Sequence, residues 1–223
     1  MRVRLLAAAA VLLVVTADVL AGGPLSRLDG RVSGRVEAAG LPGSRWPDVL
    51  LVLGDRPGMI AVVLVALAWL CRRDRTVEPL VRLAVLGLAT VVAVYALKVG
   101  IARPPPPGLQ DAGPPRSYPS GHTATAVVLW SLLAHRVAER PRAGPSVRVT
   151  AVLAWLMPVV TVAGMLLADY HWVTDIVAGA AVAVVLVQAE RLALRHWRGA
   201  RRRPVAAGPP AGDAAPARPG VGG

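Results

Sequence analysis

The chain has one cysteine, Cys71, and so neither a disulfide framework nor a thiolate metal cluster is open to it. Lysine is as scarce, with Lys98 the only one among 25 basic residues. A lone lysine in an arginine-rich chain is informative about the place where it stands. Charged residues of either sign make up only 17% of the sequence, and acidic ones number 13, which leaves a net charge of +12. In a soluble protein that balance suggests nucleic acid. Here the basic residues fall between apolar blocks and in the C-terminal tail, where they hold cytoplasmic segments at an anionic leaflet. Nucleic acid is therefore not expected as a partner. No internal repeat stands out.

What the chain does have is apolar length. Hydrophobic residues reach 55% and mean hydropathy is +0.54, with the apolar residues in blocks rather than at amphipathic spacing. Six blocks are readable, at roughly 5–23, 49–71, 80–99, 122–138, 149–168 and 172–192. Each is near the ~20 residues that a helix needs to cross the hydrocarbon core. The expected fold is all-α, a polytopic bundle of six transmembrane helices. Residues 1–24 form its first span behind a short cytoplasmic N-terminus. Cleavage of that span as a signal peptide is the alternative, disfavoured because it leaves an odd number of spans. With both termini inside, 17 basic residues face the cytoplasm and 8 the other side, as the positive-inside rule prefers. Segments 24–48, 100–121 and 169–171 then face outward. Residues 196–223 read as a basic, then Pro/Ala/Gly-rich, disordered cytoplasmic tail.

Two short outward segments hold nearly all candidate catalytic groups, and both border helix starts. Tyr118-Pro119-Ser120-Gly121-His122-Thr123 precedes the fourth block. Ser120 is a natural N-cap. A helix beginning there turns free N–H groups and a positive dipole end toward the outer face, a good phosphate site. Gly121 lets a ligand approach the backbone closely, and His122 can exchange a proton near neutral pH. The second segment, Asp169-Tyr170-His171-Trp172-Val173-Thr174-Asp175, enters the sixth block. His171 and Asp175 are four apart and share a helix face. An acid on one imidazole nitrogen fixes the tautomer and leaves the other as nucleophile or base. A lone outward histidine is usually a solvated loop residue, and His135 and His196, beside cytoplasmic arginines, read that way. Trp46, Trp69 and Trp172 read as interfacial anchors. Two histidines at outer helix starts, one with its own Asp, favour a functional site.

At these residues the chain resembles the phosphatidic acid phosphatase type 2 family, which has a six-helix membrane fold. Its central motif, Pro-Ser-Gly-His, is complete as Pro119-Ser120-Gly121-His122. The end of its third motif, His, three residues, Asp, matches His171 and Asp175, and Ile176-Val177-Ala178-Gly179 is also family-like. Lys98 supplies the lysine of the first motif. The likeness covers roughly 25–195, the expected phosphatase core. Two departures stand out: Pro105 occupies the place of one family arginine, and Met165 that of the other, with Gly164 in place of the serine before it. Asp169 adds negative charge nearby. Arg103 and Arg116 are outward candidates to replace the missing guanidinium groups.

The resemblance implies hydrolysis of a phosphomonoester or pyrophosphate on a lipid, of the phosphatidic acid or polyprenyl phosphate class, at the outer face of the cell membrane. His171 attacks phosphorus, oriented by Asp175, and forms a phosphohistidine. His122 protonates the leaving oxygen. Lys98, Ser120 and Gly121 hold the phosphoryl oxygens with Arg103 or Arg116, and no cofactor or metal is implied. The alternative is a catalytically impaired relative that binds lipid phosphate or acts as a scaffold, because each lost oxyanion donor typically costs about 10²–10³ in turnover.

Overall fold

The structure, a computed structural model, describes residues 1–42, 44, 45, 47, 49–50, 56–107, 116–139 and 145–201. Trp46 and the tail beyond Arg201 lie outside the described residues. Within them the protein is all-helical: α1 (Arg2–Ala21), α2 (Pro24–Ala38), α3 (Arg56–Asp74), α4 (Glu78–Ile101), α5 (Gly121–Ala138), α6 (Pro145–Leu167) and α7 (Val173–Arg201).

Helices α1, α4, α6 and α7 are long and apolar enough to cross a membrane. Much of that apolar surface points away from the protein, as with Leu13, Val85, Leu88, Val152 and Trp155, which suits a lipid surround. Helix α3 carries Arg72, Arg73 and Asp74 within 19 residues, and α5 is only 18 residues long with two histidines and an arginine. Those features keep both from reading as free-standing spans. Yet α5 is the hub of the bundle, packed on α3, α4, α6 and α7. A helix shielded on so many sides faces other helices more than lipid, so close packing matters to it more than hydropathy.

Two buried clusters flank α5. Met59, Val63, Leu67 and Leu70 of α3 pack against Ala126, Leu129, Trp130 and Leu133 on one side. Leu86 and Val94 of α4, with Val182, Ala183 and Val187 of α7, pack against Ala124, Val128 and Leu132 on the other. At the far end from His122 and His171, Arg82 of α4 makes a two-pronged ion pair with Glu190 of α7, with contacts of 2.5 and 3.1 Å. Arg136 of α5 reaches Asp74 of α3 at 2.8 Å. His135 lies 3.3 Å from Glu139 and is only partly exposed, so it is packed into this end rather than solvated as expected.

The segment expected to face outward at 24–48 contains a helix. Pro24 opens α2, where a missing N–H costs nothing. Two of the next N–H groups, from Leu25 and Ser26, donate to the Asp18 carboxylate at 3.2 and 2.8 Å. Helix α2 exposes Arg27, Arg31 and Arg35. Its buried positions are polar, Asp29 and Ser33, four apart on one face. Helix α2 packs on α1, α6 and α7 and so presents that polar face to the start of α7.

Candidate active site

Ser120 caps α5: its Oγ accepts from the Thr123 N–H at 3.4 Å and from the Thr123 hydroxyl at 3.1 Å. The Ser120 N–H donates to the Asp175 carbonyl at 2.9 Å, which ties the start of α5 to the start of α7. Gly179, one turn further along α7, makes this approach possible. A Cβ there would stand 2.4 Å from the Ser120 carbonyl oxygen.

Asp175 is the third residue of α7 and has no exposed surface. Its Oδ2 accepts from the Trp172 N–H at 3.3 Å, an acid reaching back to the residue before its helix as in a capping box. The same oxygen lies 3.3 Å from Nδ1 of His171. With Nδ1–H donating to the carboxylate, the lone pair resides on Nε2. Its partner motif contributes His122 at the second position of α5, partly exposed, where the leading N–H groups of a helix lack intrahelical partners.

Lys98, near the end of α4, donates to the carbonyls of Arg116 and of Ser117, the latter at 3.0 Å. It also lines a cavity of about 200 Å³ with Tyr95, Gly121 and Thr125. This cavity adjoins a larger apolar groove of about 690 Å³ between α3, α4 and α5, and Thr90, Val91 and Thr125 line both. Arg116 is exposed and meets Lys98 through its backbone carbonyl.

Arg103 is the arginine that the fold brings to the histidine–aspartate pair. Ala102 ends α4 in the left-handed region, φ 47°, and the chain turns back there. Ser117 donates its N–H to the Arg103 carbonyl at 2.9 Å and its hydroxyl to the Pro104 carbonyl at 3.1 Å. The Arg103 guanidinium donates to Asp175 Oδ1 at 2.7 Å, to the Thr174 hydroxyl at 2.6 Å and to Asp29 Oδ2 at 2.7 Å. It lies over the Trp172 ring at 5.2 Å, a cation–π arrangement. Trp172, read from sequence as an interfacial anchor, is thus part of the arginine's cradle, with its indole N–H on the Pro104 carbonyl at 2.8 Å. Met165 is buried in the protein.

Asp29 and Thr174 were not legible as site residues. Asp29 Oδ1 accepts the Thr174 N–H at 3.0 Å and Oδ2 the Thr174 hydroxyl at 2.5 Å. The available signal was the Asp29/Ser33 spacing in an otherwise arginine-rich outward segment. Asp169, whose negative charge was expected near the phosphate, is buried and accepts from Ser33 at 2.8 Å. Burial pushes its carboxyl pKa up, and the Ser33 hydroxyl partly offsets this. Burial likewise raises the Tyr118 phenol, whose oxygen is 2.7 Å from the Thr16 hydroxyl. Among the described residues, no three His, Cys, Asp or Glu side chains converge as metal ligands would.

The described residues thus form a helical bundle with membrane-length apolar helices, in which a half-buried His171 and a buried Asp175 are docked against a capped helix start. The family model described as the PAP2 superfamily matches residues 79–198, and the chain belongs to that superfamily. In fold it is similar to a transmembrane PAP2-type phosphatidylglycerolphosphate phosphatase from Bacillus subtilis. The TM-score is 0.68 at 18% identity, over 86% of this chain and 96% of that one. No curated protein matches the sequence significantly. Superfamily and fold together support a phosphatase-type function.

Proposed function

We propose that the protein is a membrane lipid phosphatase in which His171 is the nucleophile, acting on a lipid phosphomonoester or pyrophosphate of the phosphatidic acid or polyprenyl phosphate class. The observation that carries this reading is the His171–Asp175 pair, docked through the Ser120 N–H against the α5 start. Nε2 of His171 attacks phosphorus as the P–O bond to the lipid breaks, and the leaving oxygen takes its proton from His122. Water then cleaves the N–P bond, its proton returning to His122, and phosphate departs. Lys98, Ser120 and the Gly121 N–H hold the phosphoryl oxygens as charge develops on them. The apolar groove beside this pocket suits a hydrocarbon tail. The 17-to-8 distribution of basic residues favours a six-span topology with the site on the outer face.

A second reading, a relative that binds lipid phosphate with little turnover, draws on one feature. The guanidinium nearest the site is engaged with two carboxylates rather than directed at an open phosphate pocket. Phosphate release from a panel of lipid phosphates in detergent, wild type beside His171→Ala, separates the two. Release that disappears in the variant supports the phosphatase. Binding of the same lipids without release by folded wild type supports the second reading.

A further inference from the structure

The site contains a carboxylate that the proposed chemistry leaves without a role. We propose that Asp29 of α2 is a positioning residue that returns the charge of Asp175 to His171. This rests on the reading of His171 as nucleophile. Arg103 bridges Asp29 and Asp175 with contacts of 2.7 Å to each, and both carboxylates are essentially without exposed surface. One guanidinium facing one buried carboxylate would cancel it. Asp175 would then remain a hydrogen-bond acceptor for His171 but lose most of its field. With Asp29 on the other edge of the guanidinium, the group of three carries one net negative charge, and the outlet toward the reacting atoms is Asp175 Oδ2 on Nδ1.

That charge matters most during attack. As Nε2 bonds to phosphorus, the imidazole becomes cationic, and a fixed negative charge in a buried site stabilises it more than water would. Asp29 also accepts both the N–H and the hydroxyl of Thr174. It therefore fixes the turn of α7 that carries Asp175. Geometry and charge point to the same residue, located on a segment whose sequence has no catalytic motif.

The charged or titratable groups at this end of the elements that meet here are Asp18 from α1, Asp29 from α2, Tyr95, Lys98 and Arg103 toward the end of α4, Arg116, Tyr118 and His122 around the start of α5, and Asp169, Tyr170 and Asp175 beside His171. The α2 arginines 27, 31 and 35 are exposed. Of these groups, only Asp29 and Asp175 share the Arg103 guanidinium in a direct ion pair.

The test uses the full chain in detergent with two readouts: lipid-phosphate turnover, and titration of the His171 imidazole by ¹⁵N NMR, assigned with His171→Ala. Asp29→Asn is expected to lower kcat roughly 10²-fold, the loss typical of one preorganised electrostatic partner, with KM little changed. It should also move the His171 titration to lower pH, because an ionised carboxylate no longer favours the imidazolium. Asp29→Glu should restore part of both. Arg103→Gln should move the titration to higher pH, and Arg103→Gln combined with Asp29→Asn should return it toward wild type. That double variant also carries the test if Asp29→Asn alone fails to fold, since it leaves no guanidinium unpaired. Unchanged kcat and titration in Asp29→Asn would overturn the proposal. So would a double variant that titrates like Arg103→Gln alone. Because the titration is read without turnover, it separates failure of this inference from failure of the phosphatase reading, which is marked by wild type that releases no phosphate.

Discussion

Asp169 shows how one side chain can conflict with its surroundings and still be useful as a probe. It is buried, accepts from Ser33 and adopts φ 54°, a conformation that Asn tolerates about as well as Asp. Its folded carboxyl titrates above the ordinary value of 3.8 because burial disfavours the anion. A raised carboxyl favours the folded state fully below the unfolded value, and that contribution is lost as pH rises through the folded one. Asp169→Asn keeps the backbone conformation and an acceptor for Ser33 while removing the charge. The variant is expected to melt higher than wild type at neutral pH, with the gap closing as pH falls toward about 4. Thermal unfolding at the two pH values decides it; a variant that melts lower at neutral pH would show that the charge itself is needed. At this scale the sequence offered His122, His171 and Asp175 as candidates, because they stand at helix starts where caps and spacing leave a local signature, and Lys98 because it is the only lysine. Asp29 left only its spacing from Ser33, since its partners Arg103 and Thr174 are more than seventy positions away in the chain. Contacts at such separation exist only once the bundle has assembled.

At the scale of the helix pair, α5 and α7 meet through backbone, and Gly179 sets their distance. A methyl group there would meet the Ser120 carbonyl oxygen at 2.4 Å, which no rotamer change can relieve, so the helices must separate. Overpacking of this kind costs about 1–3 kcal/mol. Separation also strains the Ser120 N–H to Asp175 carbonyl bond and shifts the two motifs relative to each other. Gly179→Ala is therefore expected to lower both Tm and kcat. Gly87→Ala in α4 is the control, because a Cβ there meets nothing within 4 Å and alanine gains up to about 1 kcal/mol of helix propensity. If both glycine variants behave alike, close approach at Gly179 is not what the site requires. The element pattern was largely readable, because apolar blocks near the length of a bilayer crossing are the strongest signal in this chain. Helix α2 was not, since it is short and rich in polar residues, and its fully buried positions, Asp29 and Ser33, are polar. The lesser hydropathy of α5 has the complementary cause, central burial among other helices.

Taken whole, the molecule places a polar pocket at one end of the bundle and an apolar groove along its side, and the two share Thr90, Val91 and Thr125. From Leu80 to Val91 the groove follows about 16 Å of α4 at 1.5 Å per residue, enough for much of a hydrocarbon chain. A tail leaving detergent or bilayer for this groove exchanges one apolar surround for another, so burial contributes little net free energy. Under the proposed function, the groove would act by shape, holding the tail so that the headgroup reaches the pocket lined by Lys98 and Gly121. Gly87 lines the groove where added atoms find open space, so Gly87→Leu fills it without displacing backbone. With a long-chain lipid phosphate, this variant is expected to raise KM about tenfold, equivalent to about 1.4 kcal/mol. A short-chain water-soluble analogue, whose tail does not reach Gly87, should keep wild-type kcat/KM. Comparing the two substrates on one preparation separates obstruction from damage. Equal losses on both would mean that the substitution disturbs the helix packing. No loss on either would mean that the tail lies elsewhere, with the groove filled by bilayer lipid.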